Sequence, residues 1–147
     1  MRVVVQEERF DFGAEAQAFA SDHTEMGAIV TFTGVVRDTG VDRLVAMEIE
    51  HYPGMTQAAL EKIAQEASAR WQLGDVLVIH RYGRLVPGDM IMMVATASRH
   101  RKDAFEAAEF LMDYLKSRAP FWKREVTGTG ATWVDAREED EEALTRW

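Results

Sequence analysis

No cysteine occurs among the 147 residues. That excludes a disulfide framework, a thiolate nucleophile and a cysteine-based zinc site. It also fits a reducing cytoplasm. Proline is scarce, with three, so each one marks a break in the chain. No apolar run approaches the roughly 20 residues of a membrane-spanning helix. The opening stretch "MRVVVQEERFDFG" lacks the apolar core and small-residue cleavage site of a secretion signal. Positive charge is in deficit: 17 Lys and Arg against 25 Asp and Glu leave a net −8. Nucleic acids and membrane surfaces attract basic footprints, so neither is an expected partner. No H-x-x-x-H or H-E-x-x-H pair is present, so no metal is expected. There is no P-loop or G-x-G-x-x-G, and "TGTG" at 127–130 reads as a turn; no cofactor is expected. These absences describe a soluble, cytoplasmic protein.

What is present reads as a single domain over residues 1–147, with enough chain for a real core. "RVVVQ" (2–6) is short and β-branched, and predicts a strand. A helix is expected over 11–22 with Asp11 as its N-cap. The β-rich run 27–37 contains Gly34, which suggests a bulge. Residues 43–52 alternate, with Val45, Met47 and Ile49 on one face and Glu48 and Glu50 on the other. A helix over 56–71 presents Leu60, Ile63, Ala64, Ala67 and Trp71 on one side. Strands at 75–83 and 89–98 follow, separated by the turn "VPGD"; the second is apolar almost throughout and belongs at a sheet centre. A third helix is expected over 103–120, opened by an Asp103/Glu106 capping box and closed by Pro120. Its buried stripe is read as Phe105, Ala108, Met112 and Leu115. A last strand at 131–134 precedes an acidic tail. Strands in adjacent pairs imply an α+β domain with a mixed or antiparallel sheet and about three helices.

The acidic chain is locally basic. From Arg99 to Arg124 there are seven Lys and Arg plus His100, against four acids. From Asp135 to Glu142 there are six acids against Arg137, which reads as solvated surface. "SRHRKD" (98–103) lies where a strand meets a helix start, a setting that collects anions. His100 and Arg101 add charge-assisted donors there. Arg37 ends a strand and reads as a phosphate clamp or as a rim residue paired with Asp38. Lys116 stands in the last turn of its helix, where a cation also suits the helix dipole. Crowded by cations or buried beside Phe121 and Trp122, it would have a lowered pKa and a nucleophilic amine. Lys123 lies past Pro120 and is able to converge on the same pocket. His51 and His80 read as packed strand histidines.

The segments "FTGVVRD", "EIEHYPGM", "HRYGRLVPGD", "SRHRKDAFEAAEFLMDYLKSRAPFWKRE" and "WVDARE" closely resemble the large, catalytic subunits of molybdopterin synthase. The likeness runs from about residue 27 onward with the motifs in order. The loop 38–42 is shorter than the family's pattern. The resemblance implies an α/β-hammerhead fold and a sulfurtransferase. Such subunits build the dithiolene of molybdopterin on cyclic pyranopterin monophosphate. Sulfur comes from the C-terminal Gly-Gly thiocarboxylate of a small ubiquitin-like carrier. They work as a homodimer within a heterotetramer. Carried over by position, Lys116 is the leading catalytic residue and Lys123 its partner. Arg37, His100 and Arg101 would hold the substrate phosphate. Val35, Val36, Arg124 and Glu125 would line the pocket, and Arg137 would reach it. A chain without cysteine fits sulfur delivered on another molecule.

Three other classes compete. A module that only docks a ubiquitin-like partner would tolerate loss of Lys116. A phosphometabolite hydrolase would need a base, nucleophile or metal set that the sequence does not offer. A nucleic-acid binder would lose affinity steeply with salt.

Overall fold

In the computed structural model, which describes residues 1–38 and 43–147, strands and helices follow in this order. β1 (Arg2–Gln6), α1 (Phe12–Ser21), β2 (Ala28–Val35), β3 (Leu44–His51) and α2 (Met55–Trp71) make the first half. β4 (Asp75–Arg81), β5 (Gly83–Leu85), β6 (Met90–Ser98), α3 (Arg101–Ser117), β7 (Phe121–Thr127), β8 (Gly130–Trp133) and α4 (Glu138–Ala143) make the second. A 3-10 turn at Leu144–Arg146 follows. The architecture is α+β with mixed and antiparallel pairing, as expected. It has two sheets rather than one, and four helices among the described residues rather than three. No described helix is long and apolar enough to cross a membrane.

The first sheet has the order β1-β4-β6-β2. β1 and β4 run parallel; β4 with β6 and β2 with β6 run antiparallel. β6 is interior and buried over most of its length. One face carries Val76, Val78, Met92 and Val94, packed under α2 and α3. The other carries Leu77, Ile79, Met93 and Ala95 against Phe19 of α1. α1 starts where Asp11 accepts a hydrogen bond from the Ala14 N–H at 3.0 Å, as an N-cap should. Leu60 of α2 and Leu111 of α3 are fully buried in one cluster. Leu111→Ala would cost ~2–5 kcal/mol through the cavity it leaves.

The second sheet, β5-β3-β7-β8, is antiparallel. Gly83, at φ +88, turns the chain from β4 into β5 and so from one sheet to the other. That positive φ suits glycine, and it splits the strand expected over 75–83 in two. Val36, Leu44, Ile49 and Leu85 form the cluster joining the sheets, with Tyr82, Ile91 and Phe121 packed on it.

Several expectations are corrected. α3 begins at Arg101 with His100 as an extended N-cap that makes no side-chain cap bond, so Asp103 lies in the first turn and the capping box does not form. Of the expected stripe, Ala108 and Leu115 are buried and Met112 is partly so, but Phe105 is 61% exposed, and the buried face also takes in Ala104, Ala107, Phe110 and Leu111. The Gly34 bulge is present, between Gly34 and Val35. A second register shift, between Leu44 and Ala46, turns Val45 to solvent and buries Ala46. The acidic tail is not simply solvated surface, since part of it is α4, packed on α3.

Candidate functional site

The stretch "LKSRAPFWKRE" bends once and then forms a strand. The Arg118 N–H still bonds the Tyr114 carbonyl at 2.7 Å, and the Phe121 N–H bonds the Ala119 carbonyl at 2.8 Å. β7 then pairs with β3: Phe121 lies opposite His51, Lys123 opposite Ile49 and Glu125 opposite Met47. Side chains alternate across a strand. Phe121, Lys123 and Glu125 therefore face the joint between the sheets, where Ile49 is buried. Trp122 and Arg124 face the other way.

The inward face gathers bases. The Phe121 ring stacks on His80, with centroids 3.8 Å apart and planes 16° apart, and the His51 and Phe121 centroids lie 6.2 Å apart. His51 also packs on Tyr82 at 4.3 Å, and its Nδ1 is buried with no hydrogen-bond partner among the described residues. His80 is buried, and its Nδ1 lies 2.7 Å from the Arg81 carbonyl. A carbonyl only accepts, so Nδ1 carries the proton. Burial pushes the His80 pKa down to about 3, and the charges of Lys123, His51 and Lys116 push the same way. The Arg81 hydrogen bond opposes them. His80 is thus neutral at physiological pH, with Nε2 left as an acceptor.

Lys123 is the less exposed amine of the pair, half-buried on β7. Burial, then the charge of Lys116, lower its pKa to about 8, and Asp140 opposes them. Lys116 is exposed at the end of α3. The desolvated lysine expected at the helix end is therefore found on the strand. Sequence reasoning missed His51, His80 and Asp140 as neighbours of the lysines. The signal was an alternation read from Phe121, with lysine at an inward position.

The other expected residues divide into groups. Val35 and Arg37 are exposed and Val36 is buried, its N–H bonded to the Asp89 carbonyl at 2.8 Å. Val35 pairs with Met90, at the start of β6. α3 runs back along β6, so its Lys116 end lies at the same end of the sheet as Val35 and Arg37. His100 and Arg101 stand at the other end, exposed. The 17 residues of α3 separate the two ends by ~25 Å. Arg124 is on the outer face, ion-paired with Glu48 and 5.5 Å from the Trp133 ring centroid. Arg137 precedes α4, and its carbonyl accepts from the Asp140 N–H at 3.1 Å. Ser117 donates to the Asp140 carbonyl at 2.9 Å, which places that segment at the Lys116 end. Residues 39–42 of the short loop after Arg37 lie outside the described residues. Among the described residues no group of three or more His, Asp or Glu side chains is arranged to hold a metal ion.

Comparison with known proteins gives a consistent answer. A family profile described as MoaE protein matches residues 5–118. A relative from Cereibacter sphaeroides, described as a molybdopterin synthase catalytic subunit, is 67% identical over 147 residues and is covered completely, as is this chain. One from Escherichia coli with the same description is 52% identical, covering 99% of this chain and 97% of the relative. A solved structure of a molybdopterin biosynthesis MoaE protein from Burkholderia ambifaria superposes with a TM-score of 0.85 at 53% identity, covering 99% of this chain and 97% of that one. A molybdopterin synthase from Staphylococcus aureus superposes at 0.82 with 30% identity, covering 89% and 95%.

Proposed function

The chain belongs to the MoaE protein family of molybdopterin synthase catalytic subunits, and from that premise we propose how its two lysines divide the work of sulfur transfer. The donor is the C-terminal thiocarboxylate of a small ubiquitin-like carrier. The acceptor is cyclic pyranopterin monophosphate, and two transfers form the dithiolene. In each, the carrier's sulfur forms a bond to a substrate carbon as a carbon–oxygen bond at that carbon breaks, the oxygen leaving as water or as the freed arm of the cyclic phosphate. Water then cleaves the acyl–sulfur bond and leaves the carrier tail as a carboxylate.

The observation that carries this reading is the pairing of an exposed Lys116 with a half-buried Lys123, beside a neutral His80. Lys116 is reachable from outside and meets the carrier's terminal carbonyl. Lys123, in its cationic form, stabilises charge developing at that carbonyl and supplies a proton. A cation works best there because burial excludes the water that would screen it. Glu125 shares the face of Lys123, and Val35, Val36 and Arg137 rim the same end. Arg124 supports the sheet from behind through Glu48.

Arg37 and the pair His100 and Arg101 are too far apart along α3 to hold one phosphate in one copy. A homodimer resolves this if the partner copy brings its own His100 and Arg101 to the Arg37 end. β2 is an edge strand with Phe32 and Val35 exposed, which suits such a contact. With one carrier on each catalytic subunit, the assembly is a heterotetramer.

A single-turnover assay tests the reading. The protein is mixed with a thiocarboxylated carrier and cyclic pyranopterin monophosphate, and dithiolene product is measured for wild type and Lys116→Ala. Product from wild type and almost none from the variant is expected. Tight carrier binding without product from wild type would return the chain to the docking-module class.

A further inference from the structure

We propose that Asp140 is a positioning residue for Lys123, held beside the Lys116 end of α3 by a strap, residues 138–147, laid along that helix. Six residues make too short a helix to stand alone in water, and α4 crowds five acids, Glu138 to Glu142, into its length. Its place is therefore set by anchors outside it.

Those anchors are specific. Ser117 donates to the Asp140 carbonyl at 2.9 Å, one residue beyond Lys116. Arg118 donates to Glu141 at 2.6 Å. Farther along, Arg146 pairs with Glu109 and Asp113. The Trp147 indole N–H donates to Asp113 at 2.7 Å. The Trp147 ring closes the strap against Trp71 at 5.5 Å and Phe110 at 5.6 Å.

The outcome at the other end is selective. Of the five acids in α4, Asp140 alone is half-buried and the other four are exposed. The charged and titratable groups around Lys123 are Lys116 from α3, His80 from β4, His51 from β3 and Asp140 from α4, with Glu125 on its own strand. Of these, Asp140 is the carboxylate whose charge favours the Lys123 ammonium. It offsets part of the Lys116 effect, which helps Lys123 stay cationic while partly desolvated. The proposal rests on the reading of Lys123 as the cation of the transfer site, but its test does not require turnover.

Competitive acetylation of the full chain across pH, with Lys123 followed by mass spectrometry, reports the ionisation of that amine directly. Asp140→Asn should move the Lys123 inflection downward by several tenths of a pH unit, and Asp140→Glu should largely restore it. Trp147→Ala, with Asp140 intact, should lower the inflection in the same direction, and Trp147→Phe should recover it. An unchanged inflection in Asp140→Asn overturns the proposal. A lower Tm in Trp147→Ala with an unmoved Lys123 inflection overturns the strap's part in it. If the inflections move as stated but wild type forms no dithiolene, the positioning stands and the reading of the transfer site fails.

Discussion

The two ends of α3 carry the same sign of charge in opposite surroundings. At its start, Arg99, His100 and Arg101 are exposed where β6 turns into the helix. At its end, exposed Lys116 acts on a half-buried Lys123, whose pKa is lowered to about 8. The helix dipole sharpens the contrast. A cation at a helix C-terminus is stabilising by ~0.3–1 kcal/mol, and one at the N-terminus is not. Lys116 therefore has a structural reason to be where it is, whereas the cluster at His100 and Arg101 works against its own helix. Solvated cations at the positive end of a helix attract an anion without reacting. A desolvated amine at the far end has the altered proton affinity that chemistry needs. One helix thus carries a solvated basic cluster at its start and lies beside a partly desolvated lysine at its end, ~25 Å away.

The largest expected effect is at the reactive edge. Lys116→Ala should lower the single-turnover rate ~100-fold or more, and Lys116→Arg should fail as well, because guanidinium cannot supply a neutral amine. Full activity in the arginine variant would reduce Lys116 to a charge, like those at the other end. Next comes the pH profile. With Lys123 needed as the ammonium, the rate should fall as pH rises through about 8, approaching tenfold per pH unit above it. Lys123→Arg should abolish that alkaline fall, and a wild-type rate that climbs through this range would assign Lys123 the role of base.

The clamp should respond differently. Arg101→Ala should raise KM for the phosphorylated substrate roughly tenfold, the scale of one lost charge-assisted hydrogen bond, with little change in kcat. Mixing the Lys116→Ala and Arg101→Ala chains then tests the separation itself. If each site takes its clamp from the partner copy, a mixed dimer contains one intact site, and at substrate well below the raised KM the rate after mixing and subunit exchange exceeds the average of the two variants. If both ends serve a site within one chain, mixing restores nothing. The smallest effect is expected at Arg124, on the outer face beside Glu48. Arg124→Gln should leave the rate within about twofold, as surface pairs usually do.

Much of this was legible in the sequence where one local force dominates. Asp11 caps its helix, Gly34 marks a bulge and the apolar 89–98 run is an interior strand, because each follows from short-range geometry or burial. Elements that owe their state to distant partners were not legible. β7 is not among the expected strands, because its inward positions include Lys123 and Glu125, and an alternation pattern assumes that inward means apolar. α4 has no apolar period, and its anchors lie on α2 and α3. The capping box failed because His100 takes the N-cap position three residues before Asp103. For the site, the residue types and the basic clustering were visible in the chain. Which lysine is the less exposed, and that His100 and Arg101 lie across the molecule from Lys116, depend on tertiary packing.

The clasp that closes the strap also has an optical consequence. Trp71 and Trp147 sit with ring centroids 5.5 Å apart and planes 85° apart, close enough for their excited states to couple. Trp122 and Trp133 lie on the exposed sheet instead. The coupled pair should give the folded chain an exciton couplet in circular dichroism that no single indole produces. Lifting the strap would erase that signal while leaving the backbone bands in place, so the protein carries its own unlabelled reporter of whether residues 138–147 are seated.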